Sequence, residues 1–102
     1  MLIVLGVINV NPDVVAGVRQ AICDMEVETL KEPGCLSYGF SVSLSDPGKI
    51  HVAERWKSMD DLTAHFKTPH MAALNQALGS VEILAMDVKA YDIAGELPLP
   101  GL

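Results

Sequence analysis

Residues 2 to 10 read Leu-Ile-Val-Leu-Gly-Val-Ile-Asn-Val, apolar at odd and even positions alike, with Asn9 the one polar exception. Side chains alternate faces along a strand, so this run predicts a central strand covered on both sides. With 102 residues the chain makes one domain, 1 to 102, near the size at which an open sheet face becomes costly. Half of its residues are hydrophobic, yet no apolar run is long enough to span a bilayer. The excess apolar surface is therefore expected to be buried against a second copy of the chain, as a homodimer with no membrane partner.

The rest of the chain punctuates clearly. Asn11-Pro12-Asp13 supplies an N-cap, a first-turn proline and an early acid, and Val15, Val18, Ile22 and Met25 follow at helical spacing. That helix is predicted to end near Lys31, before Pro33-Gly34. Leu36, Tyr38, Phe40, Val42 and Leu44 then alternate with small or polar residues, a period-two strand. Ser45-Asp46-Pro47-Gly48 is a turn by composition and joins it, as a hairpin, to a strand through Ile50–Trp56. Ser58 and Asp61 form a capping box, Thr68-Pro69 opens a second helical piece, and Gly79 ends the run of Met71, Leu74 and Leu78. A last strand is expected from about Glu82 to Ile93. The order, strand-helix-strand-strand-helix-strand, is the ferredoxin-like split βαβ arrangement, an α+β fold with its second helix broken at 67–69. The tail 94–102 carries Leu97, Leu99 and Leu102 between prolines and glycines, and is predicted to be extended and to need docking.

Chemistry concentrates between Glu54 and His70. Glu54 and Trp56 share a strand face with Ile50 and Val52, so a carboxylate lies on an apolar surface. It is expected to orient an imidazole, to act as a base whose proton affinity is raised by its surroundings, or to pair with Arg55 of a neighbour or Lys57. His65 falls at a helix C-terminus, which favours a cationic side chain, and His70 in a first turn, which disfavours one. That contrast suits His70 as proton acceptor and His65 as donor or anion clamp; the bland alternative is that both are structural caps. Trp56, Tyr38 and Phe40 are expected to wall a pocket or simply to fill the core.

The segment Glu54-Arg55-Trp56-Lys57-Ser58, followed by His65 and by Thr68-Pro69-His70, resembles the antibiotic biosynthesis monooxygenase family. The likeness runs from the turn Glu32-Pro33-Gly34-Cys35 through Met71, and is nearest to the small quinol monooxygenase-like members. It implies two sheets facing each other as a dimeric α+β barrel, with the tail docked on the second subunit. It also implies cofactor-free oxidation of a small aromatic phenol, quinol or anthrone by O2. His70, His65 and Glu54 are then the candidate catalytic residues, with Trp56, Tyr38, Phe40 and Asn9 as substrate-binding lining. Haem-degrading relatives place a tryptophan near the position of His65 and an axial histidine near that of Asn75, and neither is matched, although they also place an asparagine near Asn9. An isomerase of small hydroxyketones and a non-catalytic binder of small molecules are the alternatives.

Composition narrows the partners. The chain has a formal net charge of −6 and only seven Lys and Arg residues, a poor match to a nucleic-acid backbone. Cys23 and Cys35 lack Cys-x-x-Cys spacing and read as small core hydrophobes, free thiols of a reducing cytoplasm. Gly-x-Gly-x-x-Gly occurs nowhere, so no nucleotide cofactor is implied. No metal is expected, because His65 and His70 straddle a helix break rather than sharing one face.

Overall fold

The computed structural model describes residues 1–101. Its elements are β1 (Leu2–Val10), α1 (Pro12–Thr29), β2 (Cys35–Ser43), β3 (Asp46–Trp56), α2 (Met59–His65), α3 (Pro69–Leu78) and β4 (Ile83–Asp92). The strands form one antiparallel sheet of order β2-β3-β1-β4, so β1 is central and the split βαβ topology is as the sequence predicts. Each helix starts where a short polar side chain can accept an orphan backbone N–H. Asn11 accepts from Asp13 N at 3.0 Å, Ser58 from Asp61 N at 3.2 Å and Thr68 from Met71 N at 3.2 Å.

The helices cover one face of the sheet. Leu2, Val4, Val52, Trp56 and Leu62 form the buried cluster there, with Ile8, Tyr38, Phe40 and Val88 packed against it. On the opposite face Leu5 and Val7 line a shallow concavity with His51, Asp87 and Tyr91. Leu5 and Tyr91 are each about half exposed, and β4 is exposed along nearly its whole length. No helix among the described residues is long and apolar enough to cross a membrane.

Two expectations shift. The β2–β3 reversal is at Leu44-Ser45, and Asp46-Pro47-Gly48 belongs to β3. A register shift between Val42 and Ser43 pairs Ser43 with Asp46, moving the turn ahead of the Pro-Gly pair that composition favours. Cys23 is exposed rather than core, while Cys35 is half-buried. In the tail Leu97 and Leu99 are exposed, and Leu102 lies outside the described residues.

Candidate functional site

The turn after α1 is tightly fixed. Glu32 N donates to Thr29 O, Cys35 N to Glu32 O, and Lys57 N to Gly34 O, each at 2.9–3.0 Å. Gly34 is required at this crossing, since a Cβ there would overlap the Asp61 side chain. Asp61 in turn is held by Ser58 Oγ at 2.8 Å, so the turn is seated on the first turn of α2. At the far end of α2, Thr68 Oγ1 donates to His65 O at 2.7 Å and accepts from Met71 N. One hydroxyl thus closes α2 and opens α3, fixing the angle between the helices that carry His65 and His70.

These constraints converge on one carboxylate. Glu32 Oε2 lies 2.7 Å from His65 Nδ1 and 2.8 Å from His70 Nε2. The side chains of His65, Glu32 and His70 are 2%, 14% and 18% exposed, so these contacts are poorly screened by water. The His65 ring is packed by Trp56 at 4.8 Å and Tyr38 at 5.4 Å between centroids, and by Phe66 at 5.6 Å. Beneath it Trp56 Nε1 donates to Glu54 Oε1 at 2.9 Å.

The surroundings tune two further groups. Burial pushes the Glu54 carboxyl above its ordinary range, and the Glu32 charge adds to this. The Trp56 N–H and the nearby His65 pull in the opposite direction. Burial, reinforced by the charges of Glu54 and Glu26, pushes the Tyr38 phenol far up, so it stays protonated and able to donate a hydrogen bond. Cys35 is also raised by burial, which keeps it an unreactive thiol.

A mostly apolar cavity of about 350 Å³ opens between the sheet and α2–α3, and Tyr38, Phe40, Glu54 and His65 share its wall with Phe66 and Met71. His65 Nδ1 is committed to Glu32, which leaves Nε2 as the nitrogen available to a molecule in the cavity. Trp56 is fully buried and supports His65 from behind instead of lining the space. His70 is on the far side of Glu32, bordering a separate cleft between α1 and α3 with Asp24 and Glu28.

Asn9 is not with the others. It has the parity of Leu5 and Val7, on the face away from the helices, whereas Val4 and Ile8 line the cavity. Both faces of β1 are apolar, so the sequence does not show which one the helices cover. The carboxylate joining the histidines is Glu32 rather than Glu54, whose nearer donor is the Trp56 indole. Glu32 is the residue that sequence reasoning missed. It occupies a Glu-Pro-Gly turn, 33 residues from His65, where neither periodicity nor spacing marks it.

The same geometry revises the metal argument. His65, His70 and a Glu32 oxygen offer donor atoms within 4.8 Å of one another, so the helix break brings the imidazoles together rather than apart. Two imidazoles and a carboxylate are a donor set that a divalent cation can use. The shared oxygen is at hydrogen-bond distance from both nitrogens, which is enough to hold all three side chains.

Comparison with known proteins agrees with this architecture. Residues 1–77 match the family model described as antibiotic biosynthesis monooxygenase. The Escherichia coli K12 protein named "Probable quinol monooxygenase YgiN" is 34% identical over 83 residues, covering 70% of this chain and 79% of that protein. A solved structure from Deinococcus radiodurans, of a protein named for the same family, superposes with a TM-score of 0.87 at 26% identity, covering 99% of this chain and 100% of that one. Another so named, from Caulobacter crescentus CB15, gives 0.83 at 27% identity, covering 92% and 90%.

Proposed function

The chain belongs to the antibiotic biosynthesis monooxygenase family, and we propose that it is a cofactor-independent monooxygenase acting with O2 on a small electron-rich phenol, quinol or anthrone. The observation that carries this reading is His65, almost fully buried, with Nδ1 fixed by Glu32 and its ring at the wall of an apolar cavity that also holds Tyr38 and Glu54. The name of the E. coli relative points to the same substrate class.

A phenol, with a pKa of about 10, is almost entirely neutral at pH 7. An imidazole at Nε2 distance takes the proton, Glu32 stabilises the imidazolium that forms, and the protonated Tyr38 donates to the substrate oxyanion. The resulting anion is electron-rich enough to react with O2, and the substrate supplies the electrons itself. A CH2 becomes a carbonyl, or a quinol ring C–H becomes C–OH as the ring is oxidised to a quinone, and the second oxygen atom leaves as water. Glu54, whose burial favours the protonated carboxyl, donates to the reduced oxygen. Phe40 supplies apolar wall, and His70 acts from behind Glu32.

The protein works as a homodimer in a reducing cytoplasm. The open sheet face and the exposed Leu97 and Leu99 are the surfaces a second copy would cover. The isomerase reading lacks an arginine clamp for phosphate at the cavity, where Lys89 is paired with Asp87 at 3.0 Å. Arg55 donates to Ser37 at the edge of the sheet, and Arg19 borders a groove between α1 and β2. Oxygen uptake by the purified protein with a panel of reduced naphthoquinones and anthrones tests the proposal. Saturable uptake with one substrate class supports it, and no uptake with any of them above the background autoxidation overturns it.

A further inference from the structure

Resting on the deprotonation reading above, we propose that Glu32 and His70 form a proton outlet, carrying the proton taken by His65 from the cavity to the cleft between α1 and α3. A substrate that fills an apolar cavity displaces water from it, and His65 is only 2% exposed. A proton accepted on that buried ring, with substrate lying over it, is cut off from the water at the cavity mouth. On the other side both imidazoles meet one and the same oxygen, Glu32 Oε2, at 2.7 and 2.8 Å. A proton arriving on that oxygen from His65 is already at transfer distance from His70, with no rotation of the carboxyl group required. His70 is the most exposed member of the three and borders a cleft whose acidic side chains, Asp24 and Glu28, face solvent.

The step balances as proton transfer alone. At rest one proton fills each contact, the His65 Nδ1–H and a proton held between Glu32 Oε2 and His70 Nε2. His65 gains the substrate proton at Nε2 and passes its Nδ1 proton to Glu32 Oε2, as the held proton moves fully onto His70 Nε2 and the proton on His70 Nδ1 leaves to the cleft. When oxygen is reduced in the cavity a proton returns along the same path, which restores the starting arrangement. His65 is then the group that touches substrate, while Glu32 and His70 govern how fast its proton exchanges with bulk water.

The test separates anion formation from proton release. 4-Nitrophenol, whose anion absorbs in the visible, is mixed with the protein in weak buffer at a pH where the free phenol is neutral, beside a pH indicator absorbing at longer wavelength. In the native protein the anion and the released proton should appear together. In His70→Gln, which can still hydrogen-bond Glu32 but cannot relay a proton, release should lag anion formation by about tenfold or more, the scale of a lost proton-transfer group. Glu32→Gln should lag likewise. If the anion forms and His70→Gln releases its proton at the native rate, the outlet is overturned and His65 as base survives. If no anion forms in the native protein, the deprotonation reading and the outlet fall together.

Discussion

Glu32 Oε2 and His65 Nδ1 meet at 2.7 Å although 33 residues separate them, and the contact depends on a turn whose Gly34 is seated against Asp61 in the first turn of α2. His65 is therefore placed no more accurately than the turn that carries Glu32. Gly34→Ala should force Asp61 or the turn to move, since the added Cβ has no space. Overpacking of this kind costs about 1–3 kcal/mol, and a misplaced catalytic geometry about tenfold or more in turnover. Thermal denaturation and oxygen uptake check both. Native stability with native turnover would show that the turn is not what positions Glu32.

Glu54 makes a statement about stability and pH. Burial raises its folded-state pKa, so between the ordinary carboxylate range and that raised value the folded chain holds a proton that the unfolded chain has lost. Its contribution is present at low pH and is lost as pH rises from about 4.5 through the folded value. Glu54→Gln, whose amide oxygen can still accept from Trp56, should remove that loss. The difference in unfolding free energy, variant minus native, should therefore grow with pH across this window. A difference that is flat with pH would show that Glu54 is no harder to ionise folded than unfolded.

Much of the fold was legible because its signals are local. The caps at Asn11, Ser58 and Thr68 each mark a helix start within a few residues, and alternation marks β2 and β3. The two histidines were legible as a pair at one corner for the same reason. Glu32 was not, because a carboxylate in a Glu-Pro-Gly turn resembles any solvated loop and its partners are long-range. Asn9 was misplaced because β1 is apolar on both faces, and only the packed helices reveal which face holds the cavity. The reversal at Leu44-Ser45 was missed because a register shift overrode the turn preference of Pro47-Gly48.

The exposed apolar surface carries the assembly prediction. Leu97 and Leu99 are 85% and 68% exposed, a solvation cost that docking on a second copy removes. Deleting residues 94–102 should weaken the dimer by tenfold or more in dissociation constant, roughly the effect of one or two buried leucines. Sedimentation over a concentration series measures this. A full-length protein that is monomeric at micromolar concentration, or a truncated one that dimerises equally well, contradicts it.

Metal dependence is decided by composition of the active protein. Because Glu32 Oε2 already ties both imidazoles together, oxygen uptake should survive exhaustive chelation. Added zinc should inhibit by competing for the same three side chains. Iron or zinc present at one per chain, and tracking activity through chelation and reconstitution, would make the trio a metal centre and remove His65 as free base.

The most direct test of the central claim is steady-state oxygen uptake by His65→Gln with the best substrate of the panel. Glutamine keeps a polar group near Glu32 but cannot take a proton, so kcat should fall by about a hundredfold or more, the usual scale of a lost general base, with KM changed far less. The fold should be retained, as judged by circular dichroism. A His65→Gln protein that consumes oxygen at the native rate would contradict the account, because the imidazole at the cavity wall would then be structural.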